Sequence, residues 1–207
     1  KFSSYPQYKV FKIDSEGIEK KSKNCYLLPK HENPEKYEKS VRSMKTFFKS
    51  ATQDVLFVLS GSGLVSGAAL QILKSLQDRN INILYIKPDL EFLGHINILQ
   101  ERTVRNVLQE YTRSGIFNRM FLVDNAKVEE VLGEVPIVGY YDKLNELIVS
   151  TIHMINVYNH QDPIHATPFD TSETTRISTF GILNIEKGEE KLFFSLDNIR
   201  EKSYYYA

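Results

Sequence analysis

DVLFVLSGSGLVSGAA, Asp54 to Ala69, is the stretch that decides the fold. From Asp54 to Ser60 the chain is continuously apolar and ends in a small residue, the pattern of a strand buried on both faces in a parallel sheet. Glycines and serines follow, and the periodicity then predicts a helix over Ala68–Gln77. Working outward towards the C-terminus, Asn82–Ile86 is the next expected strand and Lys87–Gly94 a loop. A helix is expected over Ile96–Arg113, with Ile98, Val104, Val107, Leu108 and Tyr111 as its apolar stripe. Arg119–Val123 is a third apolar strand, followed by a helical segment carrying Val128, Val131 and Leu132 as far as Pro136. Asp142–Asn159 reads as one long helix that buries Leu144, Leu147, Ile148, Thr151, Ile152, Ile155 and Val157. Strand and helix alternate, which predicts an α/β fold: a parallel sheet with helices on both faces.

The flanks are less regular. Upstream, Tyr8–Ile13 (YKVFKI) alternates as a half-buried strand does, and Cys25–Leu28 is a second short strand. Asn33-Pro34-Glu35 combines an N-cap, a proline at the first helical position and an acid in the first turn, so a helix is expected from there to Ser50, burying Val41, Met44, Phe47 and Phe48. Downstream, Asp162–Thr175 is polar and loop-like. Ile177–Ile185 and Lys191–Leu196 are expected strands of a small C-terminal β element, joined by the turn Glu186–Glu189. The expected organisation is an α/β domain over 1–141, a central helix over 142–160, and a partial second domain over 161–207 made of a β-hairpin and a tail.

Composition narrows the function. The 207 residues carry 26 basic and 26 acidic side chains, so the net charge is zero. Bulk electrostatics then gives no reason to expect a nucleic-acid or anionic-membrane partner. No apolar run reaches the roughly 18–20 residues of a membrane span. Cys25 is the one cysteine; it has no internal partner for a disulfide and fits a reducing compartment. The cytoplasm, of a cell or of an infected host cell, is the expected location.

The chemistry-bearing feature is the loop between the first apolar strand and its helix. It sits at the carboxyl end of the expected sheet, where open α/β sheets bind ligands. Gly61, Gly63 and Gly67 would let the backbone approach a phosphate, and Ser62 and Ser66, with Ser60, add hydroxyl donors near a helix start. The same glycines also suit a tight strand-to-helix turn with no ligand. The loop has neither the Gly-Lys-Ser/Thr of a Walker A loop nor the G-x-G-x-x-G dinucleotide pattern, and it is not the G-x-S-x-G of a nucleophile elbow. His153, His160 and His165 lack the spacing of a metal set, so no metal is expected. Tyr204-Tyr205-Tyr206 reads as a tail.

Five short matches, in order, resemble the tubulin/FtsZ superfamily. The glycine loop and its trailing Gly67-Ala68-Ala69 are similar to that family's G-G-G-T-G-T/S-G signature and the G-A-A that follows it. Asn33-Pro34-Glu35 is similar to the N-P-E that opens the preceding helix. Lys87-Pro88, Phe92 and Gly94 resemble K-P-F-x-F-E-G, and Leu122–Lys127 (LVDNAK) resembles I-P-N-D-K. Asp142–Asn159 occupies the place of the central helix. The likeness covers Tyr8–Ile185 and implies a nucleotide fold holding GTP or GDP, with Gly61, Ser62, Gly63, Ser66 and Gly67 on the phosphates and Asn125 and Asn145 on the base. It also implies head-to-tail self-association or entry into a larger protein assembly.

The departures from the family decide the expected activity. Its first phosphate loop has no counterpart after Lys1 and is expected upstream. Leu64 and Val65 stand where Thr and Gly belong, and Leu93 and His95 where Glu and Arg would help to hold the nucleotide. Of the acidic N-x-D-x-x-D loop only the unspaced Asp162, Asp170 and Glu173 remain as catalytic candidates. The expectation is a divergent assembly or structural protein with a degenerate GTP site. An active, polymerising GTPase completed by an upstream loop, and a Rossmann-like enzyme on a phosphorylated small molecule, are the alternatives.

Overall fold

The computed structural model describes residues 1–17, 22–133, 136, 138–161, 175–200, 202 and 204. Its centre is a parallel sheet of β3 (Asp54–Leu59), β4 (Asn80–Lys87), β5 (Arg119–Asp124) and β6 (Ile177–Ser178), in that spatial order. Ahead of it in the chain, β1 (Lys12–Asp14) and β2 (Cys25–Leu27) form a separate parallel pair. After it, β7 (Gly181–Asn184) and β8 (Glu189–Leu192) form an antiparallel hairpin. The helices are α1 (Pro34–Ser40), α2 (Ala69–Lys74), α3 (His95–Arg113), α4 (Asn125–Leu132) and α5 (Tyr140–His160). The α/β class with a helix-flanked parallel sheet is therefore as the sequence implies.

Side-chain alternation along the strands builds two cores. Ile81, Ile83 and Tyr85 of β4, with Met120 and Leu122 of β5, pack against Ile72 and Leu73 of α2 and Leu108 of α3. Leu84, Phe121 and Val123 point to the other face, against Val128 of α4 and Leu144, Ile148 and Ile152 of α5. Helices thus cover both faces, and α5 is the long helix the sequence predicts, packed across the sheet. Among the described residues no helix is long and apolar enough to cross a membrane.

Several expected elements come out differently. The helix expected from Pro34 to Ser50 stops at Ser40. Ser40 Oγ donates to the Tyr37 carbonyl, a local bond that competes with the helical ladder. Beyond it, the Met44 N–H donates to Ser75 Oγ, and Phe47–Ser50 forms only a short 3₁₀ turn. Met44 and Phe48 are nevertheless buried, with Val41 and Phe47 partly so. The strand expected over Tyr8–Ile13 shrinks to β1, because Tyr8 is drawn to α5: Asn156 Nδ2 donates to its hydroxyl at 3.0 Å. The strand expected over Ile177–Ile185 divides into β6 and β7 where Thr179 Oγ1 donates to the Leu122 carbonyl and Phe180 turns into the core. The strand expected over Lys191–Leu196 ends early as β8, since Phe193 is buried, donates to the Phe180 carbonyl and accepts from the Asp124 N–H. On α3, Tyr111 is exposed and the buried row is Glu101, Leu108 and Thr112.

Ile148 is fully buried between α5 and the sheet. Ile148→Ala is expected to lower the unfolding free energy by about 2–5 kcal/mol, the transfer loss plus the cavity left behind. A urea titration measures it. A change within experimental error would show that α5 does not hold the sheet.

Candidate functional site

β3, β4 and β5 all end at the same edge of the sheet, and three features meet there: the glycine loop after β3, Lys87 at the end of β4, and Asp124 at the junction of β5 and α4. The loop leaves β3 at Ser60, and the chain from Leu64 to Ala68 winds as a 3₁₀ turn before α2 begins. α2 is six residues long. Its start therefore offers little of the aligned N–H array that makes a long helix an anion site.

Gly61, Ser66 and Gly67 of the loop each have an identifiable role in the fold. Gly61 is buried, and a Cβ there would overlap the Tyr85 hydroxyl. A Cβ on Gly67 would overlap the backbone of Pro34, so this glycine lets α1 close against the turn. Ser66 Oγ lies 2.8 Å from the Gly61 carbonyl and 2.6 Å from the Gly63 carbonyl. Gln100 Nε2 reaches in from α3, donating to the Gly63 carbonyl and to Ser66 Oγ, each at 2.8 Å. Ser62 is half-buried, and Gly63 is exposed with open space around it. The loop is a locked strand-to-helix turn whose exposed tip is Gly63 and Leu64.

Beneath this turn lies a polar cluster that sequence reasoning missed. Glu101 of α3 is fully buried. Tyr85 Oη donates to its Oε1 at 3.1 Å, and Arg105 Nε donates to the same oxygen at 2.8 Å. Among the described residues, Oε2 of Glu101 and Oε1 of Gln100 are buried and have no hydrogen-bond partner. Burial, with the Glu101 carboxylate next in weight, pushes the Tyr85 phenol far above its usual pKa. A buried carboxylate behind the loop opposes an anion in front of it, although Arg105 offsets part of that charge. The available signal was Glu101 itself, which lies seven and eleven residues before Leu108 and Thr112 on the buried row of α3.

Lys87 Nζ and Asp124 Oδ2 form a half-buried ion pair at 2.5 Å. Asp124 Oδ1 also accepts from the Ala126 N–H, capping α4. Lys87, the lysine of the matched Lys87-Pro88, is therefore committed to tying β4 to β5. Asn125 is the first residue of α4 and half-buried, so it stands at this edge. Asn145 lies on α5, exposed to solvent. Asp162, Asp170 and Glu173, together with most of Asp162–Thr175, lie outside the described residues. On α4 and α5, Tyr140 Oη donates to Glu129 Oε2 at 2.7 Å. Desolvation first, then this bond, pushes Tyr140 up to about 12. Among the described residues no group of three or more acidic, histidine or cysteine side chains is placed to hold a metal ion.

Two outcomes test this geometry. Gly61→Ala is expected to cost about 1–3 kcal/mol by overpacking against Tyr85. Gly63→Ala, at an ordinary negative φ with open space, is expected to be neutral or to stabilise by about 0.4–1 kcal/mol. Equal losses at both positions in a denaturation series would contradict the assigned roles. The tyrosine shifts give a second test. A raised phenol pKa favours the neutral form in the fold, so its contribution is complete below the ordinary value of 10.0 and is lost as pH rises towards 12. The alkaline fall in urea midpoint over that window is expected to be shallower in Tyr140→Phe than in the parent chain. Superimposable pH curves for the two proteins would contradict it.

Compared with known protein families and with curated proteins, the chain matches no family model and no curated sequence.

Proposed function

We propose that this chain is a divergent tubulin/FtsZ-like assembly or structural protein whose GTP site is degenerate. One observation carries the reading: the glycine loop uses its small residues and its Ser66 hydroxyl to close on itself, on Tyr85 and on Pro34. Phosphoryl transfer relies on positioned donors and positive charge around the phosphate oxygens. Here the exposed tip presents Gly63 and the apolar Leu64, and the ammonium of Lys87 is paired with Asp124. The parallel sheet, the turn at its carboxyl edge and the long α5 across one face support the family resemblance at the level of architecture. The five ordered sequence matches support it at the level of motifs.

In this reading the fold is kept for contact between molecules rather than for turnover. The sheet's carboxyl edge is one pole of the subunit, as head-to-tail stacking would use it. Such a heterologous contact generates open filaments or rings. GTP or GDP, where it binds, does so without efficient hydrolysis.

Titration of labelled GTP into the native chain is expected to show no saturation below about 1 mM, a binding free energy weaker than about 4 kcal/mol, and no steady-state turnover. Sedimentation is expected to show concentration-dependent assembly that Gly63→Arg weakens while leaving a folded monomer. Sustained hydrolysis abolished by Asp162→Ala or Asp170→Ala would point instead to an active GTPase. A chain that stays monomeric at high concentration, with and without GTP and with its natural neighbours present, would remove the assembly reading altogether.

A further inference from the structure

The charge that sums to zero over the whole chain is unevenly placed. Residues 1–53 hold 12 of the 26 basic side chains and 6 of the 26 acidic ones. From Lys39 to Gln53 the chain carries Lys39, Arg42, Lys45 and Lys49 and no acid, and all four cations are exposed. Of these, Lys45 alone makes an ion pair among the described residues, with Asp78 at 3.8 Å.

The same part of the chain holds a row of aromatic rings that runs from the core to the surface. Phe48 is buried. Phe11 and Phe47 pack on it, with ring centroids 5.7 and 5.0 Å away. Tyr26 of β2 packs on Phe47 at 5.4 Å, with the two planes 67° apart, and is 41% exposed. Tyr26 ends the row: Phe47 is its one ring partner among the described residues, and an edge-to-face pair leaves a face of the outer ring for another π system. Lysines surround it. Lys9 Nζ lies 5.8 Å from the Phe11 centroid and donates to the Ser50 carbonyl. Lys12 is exposed on β1, and its N–H donates to the Asn24 carbonyl, which sets it beside the stretch from Lys23 to Tyr26. Lys45 and Lys49 flank Phe47, two residues away on either side. A groove of about 1220 Å³ runs beside β3, but Lys12, Lys23, Tyr26, Lys45, Phe47 and Lys49 do not line it. A segment lying in that groove therefore does not cover them. Residues 18–21, outside the described set, read Ile-Glu-Lys-Lys and add positive charge to this part of the chain.

We infer that this surface binds single-stranded nucleic acid, with a base stacked on Tyr26 and the neighbouring phosphates on Lys12, Lys23, Lys45 and Lys49. Exposed aromatic rings set among cations are what a single strand uses: every base has a π face, and the backbone follows the positive charge. Stacking on Tyr26 requires a base free of its duplex stack, which selects a single strand over a double helix. A bilayer surface would use apolar side chains that protrude among the lysines. In the described part of residues 1–53, Tyr26 is the one large apolar side chain that is exposed. An acidic peptide would satisfy the lysines and leave the Tyr26 ring unused. The surface is formed by β1, β2 and the turn at Phe47–Ser50. It involves neither the glycine turn nor the carboxyl edge of the sheet, so it stands whether or not GTP binds or the subunits assemble.

The probes are fluorescein-labelled oligothymidylate and oligouridylate of about twelve residues, titrated with the native, full-length chain while fluorescence anisotropy is followed. Saturable binding with a Kd on the order of 10 μM is expected at about 50 mM salt, with a log–log salt slope of about −2 to −3. Tyr26→Ala is expected to weaken binding about tenfold with the slope unchanged, and Tyr26→Phe to restore it. Lys12→Glu combined with Lys49→Glu is expected to weaken binding at least tenfold and to make the slope shallower by about 1 to 1.5. These side chains are exposed or at the end of the aromatic row, and an unchanged circular dichroism spectrum checks each variant. Should Tyr26→Ala fail to fold, the lysine pair and its salt slope still decide the matter. The inference is overturned if neither oligonucleotide saturates, or if binding is indifferent to both the Tyr26 and the lysine substitutions. It is overturned equally if a duplex of the same length binds as tightly, or if phosphatidylserine vesicles bind and the oligonucleotides do not.

Discussion

Burial of β4 on both faces is the constraint on which the rest of the molecule depends. Ile83, Leu84 and Tyr85 are consecutive, and all three are fully buried. Because successive side chains of a strand point to opposite faces, this is satisfied only if helices cover both sides. α2 and α3 meet one face and α4 and α5 the other. At roughly 25 cal/mol per Å² of apolar surface removed from water, this double burial is the dominant favourable term available to the fold. It also fixes the site, since a strand held on both faces delivers Tyr85 and Lys87 to one edge in a set register.

Tyr85 shows how the core and the carboxyl edge constrain one another. Its hydroxyl, at the rim of the core, must have a partner once buried, and Glu101 supplies it. Glu101 in turn needs Arg105, a helical turn along α3. Gly61 is small because the Tyr85 hydroxyl occupies the space a side chain would take. The turn that looks adapted to phosphate is thus shaped from beneath by a polar cluster, and close approach of backbone to a side chain uses the same residue type as close approach to a ligand. The steric argument cannot distinguish the two uses in a sequence; the atoms around each glycine can.

The N-terminal segment follows a similar logic. Tyr5 stacks near His153, with ring centroids 4.0 Å apart, and Tyr8 bonds Asn156. These contacts draw residues 1–8 along α5 and away from β3. They line a groove beside β3 instead of pairing with it, and so account for the short β1.

The order and type of the main elements were legible in the sequence by itself, because period two and period 3.6 report local burial directly. DVLFVL, NILYI and RMFLV are strands, and the 21-residue α5 is a single helix. The glycine turn at the carboxyl edge was legible for the same reason. What the tertiary structure decided is which partner each group meets. Continuous apolarity implied that β3 is buried on both faces, and among the described residues it stands at the end of the four-stranded sheet, since strand order depends on long-range pairing that no local pattern encodes. The break after Ser40 depends on Ser75, which is far along the chain. Glu101 showed in the sequence only as a position on the buried row of α3, and what permits a carboxylate there is Tyr85 and Arg105 beside it. Gly61, Gly67 and Ser66 carried a chemical suggestion in the sequence. Only their neighbours Tyr85, Pro34 and Gln100 reveal that each is already engaged, because steric contact and hydrogen bonding are properties of pairs in space.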